Sequence, residues 1–422
     1  MQCASSTQRA CGNRYSAIIA DPYTYSNPCN YLRVPRVHVE LCRTGGLYCV
    51  PRRAVLKVEP YTKDLETAVK AFNRRLRDGG EGKEVFPETW VRDLPKLPDR
   101  GLYQESFLVL EAGQVRGGYH LKHQKFFILG KEEKIAGGPQ HIVSEGIVNA
   151  AHTMVGVFLL KNALQKQPLL YALGMGGKDG RLPRLLKASR WTLHPIPFYF
   201  KVLNPSSFLA NLTYLRRHRG VELLFDLLRY TGIGWAALRI LEFRSDKTNS
   251  VVCTESFVEF GAWADKLWEA CKDSYSFVAL RDSGTLNLLY PPSNTKFLRL
   301  RILRDAKTIG WAIIMDTRMC RHAQFGNMRL GSIVDCLASP EHAYCTIACA
   351  TKFLERRNVD LIVSNQASSA WCSALGKNGF MRGPSNFLLG LSPKLAQRLQ
   401  PFGELKHHLH MNRGDGDGPI NL

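Results

Sequence analysis

Asp335 stands in the middle of "IVDCLASPE", Ile333 to Glu341, a stretch otherwise apolar enough for the interior of a buried strand. Burying a carboxylate costs several kcal/mol unless something pairs with it or uses it. Two readings account for it: a general base, or a structural acceptor bonded to Ser364 or Asn365 on the next strand or paired with Arg329. A second carboxylate, Glu145, sits in "IVSEGIVN" beside the flexible Gly146. Other polar side chains gather at the ends of apolar runs: Asp316, Arg329, Ser364, Asn365 and Gln366, with Asn386 in "GPSNF" close by. Open α/β sheets take ligands at the carboxyl ends of their strands, so "SNQ" after "VDLIV" is where a substrate would be read. These residues make the second half of the chain the expected working half. No Ser–His–Asp set, metal-ligand spacing or P-loop is visible, and no metal is expected.

The elements that must position these groups can be read from periodicity. "RAVLKVEPY" alternates as a strand, and "TKDLETAVKAFNRRLRDGG" is an amphipathic helix with Leu65, Val69 and Phe72 on one stripe and a glycine stop. Two strands joined at Gly113, a third apolar segment, the helix "HTMVGVFLLKNALQKQ" and the buried strand "PLLYALGM" follow. The second half repeats the order: the helix "FVEFGAWADKLWEACKDS", the hairpin "KFLRLRILRDAKTIGWAIIMDT", the strand "SIVDCLAS", a helix through "ATKFLERR", and "VDLIVSNQ". An ungapped offset of 190 lays Glu145 on Asp335 and "LYALGM" on "DLIVSN", and with a short gap "RGGYHL" meets "TIGWAI". This is the signature of a duplication.

The chain has 422 residues, with 57 Lys and Arg against 36 Asp and Glu, a net charge of +21. Length and composition suit two ordinary domains rather than a disordered or fibrous chain, and the charge favours anionic ligands. No apolar run reaches the roughly 20 residues of a membrane-spanning helix. Met1 to Ala20 lacks a continuous apolar core of a signal peptide, and the twelve cysteines form no CxxC pair, so a cytoplasmic protein with reduced thiols is expected.

In the order of its elements each half resembles the GNAT acyltransferase fold, and the tandem layout is similar to mycothiol synthase, N-myristoyltransferase and the Fem-type transferases. The resemblance implies an α/β protein of two GNAT-like mixed-sheet domains, at residues 51–203 and 250–400. A helical linker at 204–249 would join them, with an irregular extension at 1–50 and a flexible tail at 401–422. It implies N-acyl transfer from acyl-CoA to an amine or amino-sugar acceptor, with Asp335, Glu145 and Asn365 in catalytic positions. Asp316, Arg329, Ser364, Gln366 and Asn386 would then contact the acceptor. The family's pyrophosphate loop, [QR]-x-x-G-x-[GA], falls on "AHTMVG" and "EHAYCT", which places the cofactor against Val155 and Gly156 or against Thr346 and Ile347. The tyrosine that protonates the leaving thiolate in the family's closing motif is replaced by Leu186 in one half and Leu375 in the other. An aminoacyl-tRNA donor, for which the positive charge is apt, and a non-catalytic binding role are the alternatives.

Overall fold

The computed structural model describes residues 55–416 apart from 83–84, 91–93, 95, 97–100, 176, 212–251 and 323–324. The N-terminal extension, and the helical linker beyond residue 211, therefore lie outside the described residues.

The first half opens with strand β1 (Lys57–Pro60) and helix α1 (Glu66–Asp78), whose Val69, Phe72 and Leu76 are buried and whose C-cap is Gly79, as the periodicity predicts. It continues with β2 (Tyr103–Glu111), β3 (Gln114–Ile128), β4 (Lys131–Ser144), α2 (Met154–Lys166), β5 (Leu170–Leu173), α3 (Arg181–Ala188), β6 (Thr192–Pro195), β7 (Phe198–Val202) and α4 (Pro205–Asn211). The second half runs β8 (Val252–Ser256), α5 (Ala262–Cys271), β9 (Phe277–Ala279), α6 (Ser283–Leu289), β10 (Leu298–Arg304), β11 (Lys307–Arg318), β12 (Arg329–Ala338) and α7 (Ala343–Arg356). It ends with β13 (Leu361–Asn365), α8 (Ser369–Lys377), β14 (Met381–Gly383), β15 (Leu388–Leu391), α9 (Pro393–Arg398), α10 (Phe402–Leu405) and β16 (Leu409–His410).

Two mixed sheets result, one of nine strands, along the path β1-β2-β3-β4-β5-β15-β6 with β9 joined to β3 and β16 to β9, and one of seven, ordered β14-β7-β13-β12-β11-β10-β8. Each holds an antiparallel hairpin followed by a parallel strand–helix–strand unit, β4–α2–β5 or β12–α7–β13. The halves exchange a strand reciprocally. β15 of the second half lies between β5 and β6, and β7 of the first lies between β13 and β14. The chain is thus a mixed α/β protein of two halves with the same order of elements, neither of whose sheets is complete without the other half.

The duplication holds at the level of elements but not at the expected register. The hairpin glycines pair Gly118 with Val143 and Gly310 with Ala338. On that correspondence Glu145 lies beyond the equivalent of Ala338, whereas Asp335 lies before it, inside β12. Glu145 has in fact left β4 and begins a 3-10 turn, Glu145–Ile147. Bulges explain the slip, because each adds a residue to one strand and breaks a constant offset. They occur in both ladders, between Gly118 and Lys122 and between Ile313 and Ile314.

The end of the chain departs most from expectation. Residues 409–416 are packed rather than free: Leu409, Met411, Asn412 and Asp415 are all fully buried. Its Gly/Asp composition reads as a flexible tail, but Asn412 and Asp415 close a capping box around Arg413–Asp415 that removes their need for water.

Because each sheet contains a strand of the other half, paired on both sides, the halves should unfold together. Leu389→Ala, in the buried middle of β15, should cost about 2–5 kcal/mol and leave one coincident transition by near-UV circular dichroism and by fluorescence. Two separable transitions would contradict the exchange.

Candidate functional site

β12 pairs with β13 only over Leu330–Ile333 and Leu361–Ser364, and the bulge at Val334 then turns β12 away. A wedge opens between the strands, and the chain's own C-terminal segment fills it. Ala367 N donates to Met411 O at 3.0 Å, Gln366 bridges to Asn412, and His410 Nε2 lies 2.8 Å from Cys336 O. Tyr275 OH donates to Ala338 O at 2.7 Å, so two carbonyls of β12 beyond the divergence face side chains of the same protein.

Asp335 is the centre of this filling. It is wholly buried, with Arg281 Nε 3.0 Å from Oδ2, Tyr290 OH donating to Oδ2 at 2.7 Å, and Asn412 Nδ2 and Cys336 N donating to Oδ1 at 2.8 and 2.9 Å. Arg281, equally buried, reaches on to Asp415 Oδ1 at 2.7 Å. Burial alone would raise the Asp335 carboxyl, but the Arg281 charge and the bonds from Tyr290 and Asn412 outweigh it and hold the group below its ordinary range. Both oxygens are saturated with donors. This geometry fits the structural acceptor, with partners other than the expected Ser364, Asn365 and Arg329.

The remaining second-half residues divide between opposite ends of the sheet. Ser364, Asn365 and Gln366 are buried at the carboxyl end of β13, where Ser364 Oγ donates to Ile333 O at 3.2 Å and Asn365 Nδ2 to Pro197 O at 3.3 Å. Asp316 and Arg329 lie at the other end, bonded to each other at 2.8 and 2.7 Å. The polar residues expected to form one acceptor site are therefore two groups, because β13 runs its full length between them.

The first turns of α2 and α7 also differ from expectation and from one another. Val155, Thr346 and Ile347 are core side chains. Thr346 Oγ1 occupies the place where a Cβ on Gly310 would stand, so that pair is packing rather than a phosphate contact. Gly156 is half-buried, its missing Cβ no closer than 3.9 Å to Leu185 and Ser144, and it is flanked by Met154 and Val157, exposed by 66% and 40%. The second half offers no equivalent: Cys345 is buried, and the acidic Glu341 stands exposed at the start of the turn leading into α7.

Glu145 is clamped by two arginines. Arg75 Nε lies 2.9 Å from Oε1 and Arg116 Nη1 3.0 Å from Oε2, and these outweigh a burial that would raise its pKa, leaving it lowered. The C-terminal segment also meets the first sheet: Tyr171 OH donates to Asp415 O at 2.7 Å, and Lys122 Nζ to Asp415 O and Gly416 O at 3.1 and 2.9 Å. Beyond β5, Gly174 adopts a φ of +81° with Phe387 beside it, and the Arg413 guanidinium lies 5.7 Å over the Phe387 ring. Burial lowers the Arg413 pKa to about 10. Asn386, exposed, adjoins Gly177 in the same loop region. Arg281, Tyr290, Lys122, Tyr171, Asn412 and Asp415 were not singled out from sequence. Only the last two carried a signal, the Asn-x-x-Asp spacing of a capping box. Among the described residues, no three His, Cys, Asp or Glu side chains are grouped to hold a metal ion, and no helix is long and apolar enough to cross a membrane.

No protein-family model and no curated protein sequence matches this chain. Among solved structures, it is similar to a probable N-acyltransferase of Enterococcus faecalis V583, at 9% identity and a TM-score of 0.46 over 82% of this chain and 74% of that one. Saccharomyces cerevisiae N-myristoyltransferase with bound myristoyl-CoA and inhibitors gives 9% and 0.44, over 82% and 81% of the two chains. A tandem GNAT protein from the clavulanic acid biosynthesis pathway gives 12% and 0.42, over 80% and 99%.

Replacing Asp335 by Asn should leave Arg281 undercompensated and destabilise the protein by about 3–5 kcal/mol. Because Asp335, Glu145 and Asp316 are all lowered in the folded state, their stabilisation is complete above about pH 5 and is lost as pH falls through the lowered values. Thermal melts of both forms from pH 7 to pH 2.5 check this, and a wild-type melting temperature indifferent to acid would refute it.

Proposed function

We propose that this protein transfers an acyl group from acyl-CoA to an amine, with the donor seated on the first half and the second half serving as its structural counterpart. The observation that carries the reading is the difference between the two helix starts that follow β4 and β12. In the second half the edge of β12 is bonded to His410 and Tyr275, and the space beside it holds residues 410–415. In the first, the turn that begins α2 presents Gly156 between two exposed apolar side chains, Met154 and Val157, a surface suited to the pantetheine arm and acyl chain of such a donor.

Acyl transfer needs alignment of amine and thioester, a place for the departing thiolate and exclusion of water. In this reading Asp335 acts as a positioning residue. Through Arg281 and Asn412 it fixes the segment whose Asp415 and Gly416 carbonyls meet Tyr171 and Lys122 on the first sheet. Arg413 and Phe387, beyond the end of β5, bring a cation and a flat apolar face to the same side, where the acceptor would approach.

Calorimetric titration with CoA and with acetyl- and long-chain acyl-CoA tests the reading. Gly156→Trp and Val157→Asp should each weaken binding by tenfold or more at an unchanged melting temperature. Glu341→Lys, which adds a cation at the start of the second half's helix, should leave it within twofold. If Glu341→Lys tightens binding while both first-half changes are silent, the donor sits on the second half. If no acyl-CoA binds at all, the acyltransferase reading falls.

A further inference from the structure

At the amino ends of β12 and β13, the edge remote from the wedge, lies a cleft of about 570 Å³ lined by Asp316, Arg318, Asn327, Arg329, Arg357, Asn358 and Asp360. Its size is that of a small-molecule site. Its chemistry is one-sided. Asp316 gives Oδ1 to Arg329 Nε at 2.8 Å and Oδ2 to Arg329 Nη2 and Arg357 Nε, both at 2.7 Å. Asp360 gives Oδ2 to Arg329 N at 2.8 Å and Oδ1 to Asn204 Nδ2 at 2.9 Å. Asn327 Oδ1 accepts from Arg321 N at 2.9 Å. Both carboxylates and the Asn327 amide oxygen are therefore engaged.

The donors are not used up. Arg329 keeps Nη1, Arg357 keeps Nη1 and Nη2, Asn327 keeps its amide N–H pair, and the Arg318 guanidinium has no hydrogen bond or ion pair among the described residues. Three guanidinium groups face two carboxylates, leaving positive charge in excess. The Asp316 carboxylate, nearly buried, holds two of the arginine forks in place, and a fork fixed in advance loses less freedom when it binds. A site with surplus planar donors, engaged carboxylates and positive charge suits a tetrahedral oxyanion, whose several oxygens accept from more than one arginine at once.

We propose that this cleft binds the phosphate or diphosphate group of a small phosphorylated molecule, as a second ligand site separate from the acyl-transfer site. The cleft exceeds the volume of a lone phosphate and leaves room for the body of a nucleotide or sugar.

Titration calorimetry of the full chain with ADP and with inorganic pyrophosphate should show saturable, single-site binding. Arg318→Ala and Arg357→Gln should each weaken it by about tenfold. Arg318→Ala leaves every bond of Asp316 intact, so a wild-type melting temperature is expected. Arg357→Gln removes one bond to Asp316 but keeps the Arg329 pair, and its binding is measured below its own melting temperature, while Lys394→Ala, an exposed side chain elsewhere, should change nothing. A short single-stranded oligonucleotide and CoA are titrated alongside. The proposal is overturned if neither ADP nor pyrophosphate binds, or if both arginine variants bind them as the wild type does. It is also overturned if only the oligonucleotide binds, with steep salt dependence, which would make the cleft part of a polymer-binding surface. Loss of CoA binding in the same two variants would show that there is one site and not two.

Discussion

The ion pair between Arg281 and Asp335, extended to Asp415, is the constraint on which the rest of the architecture turns. Buried charges are tolerable only where partners and hydrogen bonds replace water, and here each partner comes from a different part of the chain. Arg281 follows β9, Asp335 lies in β12, and Asp415 comes from the last described residues. Satisfying one charge therefore requires the C-terminal segment to lie in the wedge of the second half. That placement closes the wedge, and it sets Asp415 and Gly416 against Tyr171 and Lys122 of the first sheet.

The strand exchange acts in the same direction. With β15 inserted between β5 and β6 and β7 between β13 and β14, the halves share both sheets, and a contact in one becomes a restraint on the other. Equivalent elements then diverge in role. Helix α7 packs its first turn inward, with Thr346 against Gly310 and Ile347 in the core, whereas α2 turns Met154 and Val157 outward. The two carboxylates that look equivalent in the sequence part in a similar way. Asp335 binds the halves together through Arg281, and Glu145 ties α1 and β3 to the end of β4 through Arg75 and Arg116.

The element order was legible because it depends on local periodicity: the α1 stripe, the Gly–aromatic hairpins and the short buried strands β5 and β13 all stand where the pattern places them. The functional surface was much less so. Ser364, Asn365 and Gln366 read as strand-end ligands, yet all are buried against Ile333, Pro197 and Asn412, contacts made by residues up to about a hundred and seventy positions away. Asp316 and Arg329 are indeed partners, but at the opposite edge of the sheet, since a polar residue's position along the chain does not reveal which end of a strand it serves.

From the sequence by itself came the α/β class, the repeated order of elements, and the fact that Asp335 needed an explanation, since period, turn residues and burial cost are properties of short stretches. Only the tertiary structure decided that the explanation is Arg281 and Asp415. It also decided that "NRGDGDG" begins as a buried plug rather than a tail, that the halves trade strands, and that the arginines around Asp316 face a cleft. Each of these depends on which distant segments meet. An offset count, broken by bulges in both ladders, cannot carry that information, because pairing between strands is set by three-dimensional register and not by spacing along the chain.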